Sequence, residues 1–215
     1  DIGFGPLSGM FERNDDVLYI CYDNEAYMNT GVQRSSATPP AARTATTQLV
    51  GEHPGADWGR GKSVPLIAMA HGIPYVATAT DLRDLEAKVT RAMSFHGARY
   101  IQVLVPCPLG WGLASNSTVT VARAAMESGF FPVYEAEYGK ITSVRKIRQK
   151  QPVINFLKMQ RRYAHLTGKK ADPNVVARLQ ALCDTNIKNF GLLPLPLSQV
   201  PLWRIILVHG VLCAR

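Results

Sequence analysis

Between Val17 and about Val133 the apolar positions alternate between two patterns. Short runs of β-formers at "VLYICY" (17–22), "PYVATA" (74–79) and "RYIQVLV" (99–105) predict buried strands. Between them the spacing becomes helical. "SVPLIAMAHG" (63–72) predicts a helix with Pro65 early and Gly72 at its end. Asp81 suits an N-cap, and Leu82, Leu85, Val89 and Met93 mark one apolar face of a helix over 82–95. Thr118 to Ser128 predicts another, closed by Gly129. "FFPVYEAEYGKIT" (130–142) predicts a strand or an edge hairpin turning at Tyr138-Gly139. Alternation of this kind implies an α/β fold with a mostly parallel sheet flanked by helices. In such sheets ligands sit beyond the carboxyl ends of the strands.

Two stretches depart from this rhythm. Residues 34–62 are rich in Ser, Thr, Pro, Gly and Ala and show no period, and a loop that long inside a domain is usually functional or disordered. After residue 140 the chain turns basic. A helix is predicted over 152–166, with Val153, Phe156, Leu157 and Tyr163 or Ala164 on one side. Another is predicted over 172–190, with Asp172 as N-cap and Pro173 at its first position. The final "LPLPLSQVPLWRIILVHGVLCAR" is proline-rich, then apolar, and matches neither part.

Charge sharpens the division. Residues 1–139 hold 10 Lys/Arg against 14 Asp/Glu, whereas residues 140–190 hold 12 against 2. The net charge of +8 therefore belongs to one segment, which invites nucleic acid or an acidic protein as partner. No aromatic platform or nucleic-acid motif accompanies it. The 215 residues suit one domain, or one domain with an appendage. No apolar run approaches a bilayer span and no secretory signal is visible. Four scattered cysteines, at 21, 107, 183 and 213, form no CxxC pair and favour a reducing cytoplasm.

The candidate chemistry lies just past two strands. "YDNEAYMNTGVQ" (22–33) crowds side-chain oxygens after the first strand. It reads either as a polar loop or as a place that holds a cation or phosphate. A hard dication takes oxygen ligands. Asn24 offers an amide oxygen and Ala26 a main-chain carbonyl on the same side, while Glu25 points away; Asn29, Thr30 and Gly31 form a polar turn. Cys107, in "VPCPLGW", reads from its place at a strand end as a buried cysteine. Trp111 either shields a site or packs. His71 reads as a helix-end cap, and His53 and Trp58 sit in the long loop.

The wording of these segments carries a resemblance. "DIGFGPLSGMFERNDDVLYICYDNEAYMNTGVQRSSATP" resembles the β subunit of the 2-oxoacid:ferredoxin oxidoreductases, the pyruvate:ferredoxin type above all. The similarity continues through "VPLIAMAHGIPYVATA", "VPCPLGW" and "PVINFLKMQRRYAHLT" and covers about residues 1–192. It implies a thiamine-diphosphate-binding fold in which Asn24 and the Ala26 carbonyl ligate Mg²⁺. Asn29 then approaches thiamine and substrate, acting in catalysis, and Thr30 and Gly31 lie near the diphosphate. Cys107 is implied as one of four ligands of a [4Fe–4S] cluster, the other three lying upstream in the family. The family's Gly-Asp-Gly, with its metal-binding Asp, is expected just before Asp1, which matches a second aspartate; an N-terminal part is therefore expected to be missing.

The resemblance further implies a cofactor domain over 1–139, a basic arm packing on partner subunits over 140–192, and an atypical tail over 193–215. The 35–62 loop would contact neighbouring subunits and help close the site. The expected activity is oxidative decarboxylation of pyruvate with coenzyme A, giving acetyl-CoA and CO₂. Electrons pass through [4Fe–4S] clusters to ferredoxin. The expected partners are α, γ and δ subunits and ferredoxin, with no membrane and no nucleic acid. The isolated chain is expected to bind thiamine diphosphate and Mg²⁺ weakly or not at all, and to be inactive. Two alternatives stand beside this reading: a non-catalytic assembly fragment, and a member acting on oxalate or a branched-chain 2-oxoacid.

Overall fold

The computed structural model describes residues 2–194 other than 52, 58 and 170. Asp1, Trp58, Cys213 and nearly all of the predicted tail lie outside the described residues. Helix α1 (Phe4–Arg13) leads into strand β1 (Leu18–Asp23), which is followed by a small hairpin of β2 (Ala26–Tyr27) and β3 (Gln33–Arg34). A second small hairpin pairs β4 (Leu49–Val50) with β5 (His53–Pro54). Then come α2 (Val64–Ala70), β6 (Tyr75–Ala79), α3 (Leu82–Ala92), β7 (Arg99–Leu104), the one-turn α4 (Pro108–Trp111) and α5 (Thr118–Glu127). The edge hairpin β8 (Tyr134–Glu137) and β9 (Lys140–Val144) precedes α6 (Val153–Lys158), a 3₁₀ turn over Arg161–Leu166, and α7 (Pro173–Phe190).

The five-stranded sheet runs β1-β7-β6-β8-β9. β7 pairs in parallel with both β1 and β6, and the last two strands run antiparallel. All five residues of β6 and all six of β7 are buried, as expected of parallel strands covered on both faces. Phe11 of α1 and Ala68 of α2 cover Val76, Tyr100 and Tyr134 on one face. Ala92, Leu85 and Val89 of α3 cover Tyr75, Ala77 and Ile101 on the other. The hairpin turn falls at Tyr138-Gly139, where both residues have positive φ, 49° and 79°, as a type I′ turn requires. A Cβ on Gly139 would lie 2.9 Å from the Met69 carbonyl oxygen. Gly139→Ala is therefore expected to cost about 1–3 kcal/mol in a urea unfolding titration.

Three sequence expectations need amending, and one helix was not expected. The Leu82–Met93 stripe is half-buried only at its centre, at Leu85 and Val89, while Leu82 and Met93 are 82% and 63% exposed. Lys88 is drawn in instead, its ammonium donating to the Thr78 carbonyl and the Asp84 carboxylate at 2.7 Å each. The helix over 152–166 breaks at Gln160, whose φ of −135° and ψ of 128° are extended. Helix α1, with two glycines and a proline in ten residues, gives no helical signal in sequence. Finally, the aperiodic 34–62 stretch is folded onto the core, with Thr38, Ala41, Ala42, Thr44, Thr47 and Ala56 buried.

The basic segment is part of this core. Val153, Phe156, Leu157, Tyr163, Val175, Leu179 and Cys183 form one buried cluster with Leu104, Trp111, Val121 and Ala125. The Asp172 carboxylate caps α7 through the Asn174 amide at 2.8 Å. Most of the segment's Lys and Arg side chains stand exposed; Arg162 is the buried exception among the described residues.

Candidate functional site at the carboxyl edge of the sheet

β1 and β7 run in parallel with Asp23 opposite Leu104, so the chain leaves both strands at the same edge. Beyond β1, Glu25 has φ +65°, a left-handed turn that swings the chain into the β2–β3 hairpin. Ala26 sits opposite Arg34 there, and Met28–Val32 form the tip. The tip relies on Gly31 at φ +115°. Beyond β7, Cys107 caps α4, its Sγ accepting weakly from the Gly110 amide at 3.5 Å.

Two contacts lock these turns together. The Trp111 indole Nε1 donates to the Asn24 carbonyl at 2.8 Å. Met28 lies across Gly110, where a Cβ would fall 2.1 Å from its Sδ. Asn24, Ala26, Asn29, Thr30, Gly31 and Cys107 therefore all lie on two interlocked turns at one edge. Asn29, Thr30 and Gly31 are exposed and Asn24 is half-buried. The Asn24 side-chain amide makes no hydrogen bond to a described residue. The Thr30 hydroxyl does: it donates to Gln33 Oε1 at 2.6 Å, and Gln33 Nε2 returns a bond to the Thr30 carbonyl at 2.6 Å.

Glu25 does point away from this edge, into a buried network that sequence alone does not reveal. The Arg162 guanidinium lies 2.7 Å from Glu25 Oε2 as an ion pair, off the line of a hydrogen bond. The same guanidinium stacks 3.6 Å from the centre of the Trp111 ring, and its Nε donates to Gln160 Oε1 at 2.7 Å. The Thr38 hydroxyl donates to the Glu25 carbonyl at 2.5 Å. Burial pushes the Glu25 carboxyl up to about 7, against the pull of Arg162. Asp23 is raised as well, chiefly by burial, though the Glu25 amide (2.8 Å) and Gln102 Nε2 (2.7 Å) both donate to it. Nothing in the sequence separates Arg162 from the eleven other cations of its segment; only its partners do.

The other candidates take ordinary places. His71 bonds Ser8 through Nε2 at 3.0 Å, and His53 lies 3.4 Å from Asp57 at the surface. Cys21 is half-buried, and burial raises the Cys183 thiol to about 12. Among the described residues no group of three or more His, Cys, Asp or Glu stands ready for a metal. The donors at the edge are thus an uncommitted amide oxygen, main-chain carbonyls and one cysteine sulfur. Oxygens of this kind fit a hard dication that draws its remaining ligands from a bound phosphate. One thiolate does not fit a four-thiolate cluster by itself. An open groove of about 700 Å³ adjoins the edge between α3 and α5, with Arg83, Arg123 and Arg145 among its lining residues. Among the described residues no helix is long and apolar enough to cross a membrane.

The chain is similar to several known proteins. Residues 2–103 match the family model for the thiamine pyrophosphate enzyme, C-terminal TPP binding domain. Pyruvate synthase subunit PorB of Methanosarcina barkeri is 45% identical over 194 residues, covering 89% of this chain and 65% of that protein. Ketoisovalerate oxidoreductase subunit VorB of Pyrococcus abyssi is 42% identical over 171 residues, covering 78% of this chain and 55% of that protein. A solved structure titled as 2-oxoglutarate:ferredoxin oxidoreductase from Magnetococcus marinus, with 2-oxoglutarate, coenzyme A and succinyl-CoA bound, aligns with 25% identity and a TM-score of 0.45. That alignment covers 50% of this chain and 36% of the other. The chain spans about two thirds or less of the length of the curated relatives it matches. By this similarity the chain is a relative of the β subunits of the 2-oxoacid:ferredoxin oxidoreductases, and residues 2–103 match their thiamine-pyrophosphate-binding domain.

Proposed function

We propose that this chain is the cofactor-holding part of the β subunit of a pyruvate:ferredoxin oxidoreductase. That enzyme converts pyruvate and coenzyme A to acetyl-CoA and CO₂ and delivers electrons through [4Fe–4S] clusters to ferredoxin, in the cytoplasm. The observation that carries this reading is the interlocking of the 24–31 hairpin with the Cys107 turn at the carboxyl edge of the parallel strands β1 and β7 of a mixed sheet. The similarity to a pyruvate synthase subunit supports the choice of pyruvate. The 42% identity to a ketoisovalerate subunit favours a second reading, a branched-chain 2-oxoacid. Comparing kcat/KM for pyruvate and 2-oxoisovalerate on the assembled enzyme decides between them.

Asn24 through its side chain and Ala26 through its carbonyl hold Mg²⁺ in this reading. They are neutral donors, so the ion keeps its full charge for the diphosphate beside it. Exposed main chain at Thr30 and Gly31 lies near the diphosphate, and Asn29 presents its amide to the substrate. Bound thiamine diphosphate supplies the nucleophilic carbon and electron sink that decarboxylation needs. Cys107 contributes one thiolate; the described residues do not complete a cluster, so no electron step is assigned to them. The exposed cations of residues 140–190 face the α, γ and δ partner subunits.

Asn24→Ala is the direct test. Its side chain makes no hydrogen bond to a described residue, so the melting temperature should hold. In the full complex with thiamine diphosphate, Mg²⁺ affinity by calorimetry should fall by about 10- to 100-fold. Cys107→Ser should keep thiamine diphosphate binding while lowering bound iron. Unchanged Mg²⁺ affinity in the Asn24 variant overturns the metal assignment.

A further inference from the structure

We propose that Arg162 is a positioning residue for the hairpin that carries Asn24, Ala26 and Asn29, so that the basic segment takes part in building the cofactor edge. The proposal rests on the functional reading above for its consequence, and on geometry alone for its mechanism.

Three segments meet on this one side chain and its peptide. Its guanidinium pairs with Glu25, between the two proposed Mg²⁺ donors, at 2.7 Å. It covers the ring of Trp111 at 3.6 Å, and the indole of that same Trp111 donates to the Asn24 carbonyl. Its own carbonyl accepts from the Arg43 amide at 3.1 Å, tying down the 34–62 stretch. Both charged side chains are more than nine-tenths buried, at 4% and 7% exposure. A buried ion pair adds little stability over an apolar pair of the same volume. What it adds here is direction. Glu25 is held at a left-handed φ of 65°, which an L-residue other than Gly, Asn or Asp adopts rarely. That conformation sets the angle between Asn24 and Ala26. The geometry also accounts for the break at Gln160: a continuous helix over 152–166 would not deliver Arg162 to this pocket from a 3₁₀ turn.

A residue that merely fills the core would act differently from one that aims the hairpin. The test compares Arg162→Met, Arg162→Lys and Leu179→Ala in the full complex. Leu179 lies in the same core cluster, on α7, and serves as the control for general loosening. Two readouts are needed: amide hydrogen exchange of residues 24–31 without cofactor, and Mg²⁺ affinity with thiamine diphosphate. Arg162→Met should speed exchange across 24–31 and weaken Mg²⁺ binding by about tenfold or more. Arg162→Lys should recover part of both, since an ammonium reaches Glu25 but does not stack as a planar guanidinium does. Leu179→Ala, at a comparable loss of melting temperature, should leave both near wild type. Exchange over 24–31 that is unchanged in Arg162→Met, or equally fast in Leu179→Ala, overturns the proposal. If Arg162→Met does not assemble, Arg162→Lys decides: intermediate exchange supports the proposal and wild-type exchange overturns it. If the wild-type complex binds no Mg²⁺ with thiamine diphosphate, the functional reading fails, while the exchange data still decide the role of Arg162.

Discussion

Trp111→Ala is expected to cost about 3–5 kcal/mol of stability, among the largest effects of any single substitution in this domain. The indole is fully buried at the junction of α4, α6 and the 3₁₀ turn. Its loss opens a cavity, leaves the Arg162 guanidinium without its stacking surface, and strips the Asn24 carbonyl of its donor. Trp111→Phe separates these contributions. It keeps most of the packing but removes the N–H, so about 1–3 kcal/mol should remain, the cost of an unsatisfied carbonyl. Urea unfolding measures both. If the phenylalanine variant matches wild type, the indole bond to Asn24 has no energetic weight. If it matches the alanine variant, packing is not the main term.

Glu25→Ala is expected to destabilise by about 3–5 kcal/mol, because it leaves the Arg162 charge buried with its partner gone. The sign of the second step is what makes this informative. Adding Arg162→Met to Glu25→Ala removes the stranded charge and should restore part of the loss. A double-mutant cycle in guanidinium chloride reads the coupling directly. Additive losses, with no recovery in the double variant, would show that the two side chains do not interact. Stability returning without restored Mg²⁺ affinity would fit a pair that acts through hairpin geometry, since the double variant regains packing but not direction.

The strands of the five-stranded sheet, most of the helices and the edge hairpin were legible because each is specified locally, whereas the two-residue strands β2–β5 were not. Three apolar runs sit at strand length, Asp81 and Asp172 cap their helices as expected, and Gly139 marks the turn by its tolerance of positive φ. The parallel strands also placed the two unusual segments at one edge, since chains leave parallel neighbours on the same side. Helix α1 was not legible: Gly5, Pro6 and Gly9 argue against a helix, and packing of Phe11 on the sheet overrides them. The helix predicted over 152–166 failed for a related reason. Its apolar positions are right, for Val153, Phe156, Leu157 and Tyr163 are all buried, but a long-range ion pair holds its second half in another conformation.

The sequence by itself determined the alternation of strands and helices, the polar hairpin after β1, the cysteine after β7, and the family to which their wording points. These are properties of neighbouring residues, carried by period, capping and turn chemistry. Only the tertiary structure decided that Glu25 pairs with Arg162, that Trp111 holds Asn24, and that one cation among the described residues of 140–190 is buried against both. Those choices depend on contacts between residues more than fifty positions apart, and pairing at that distance leaves no local period to read.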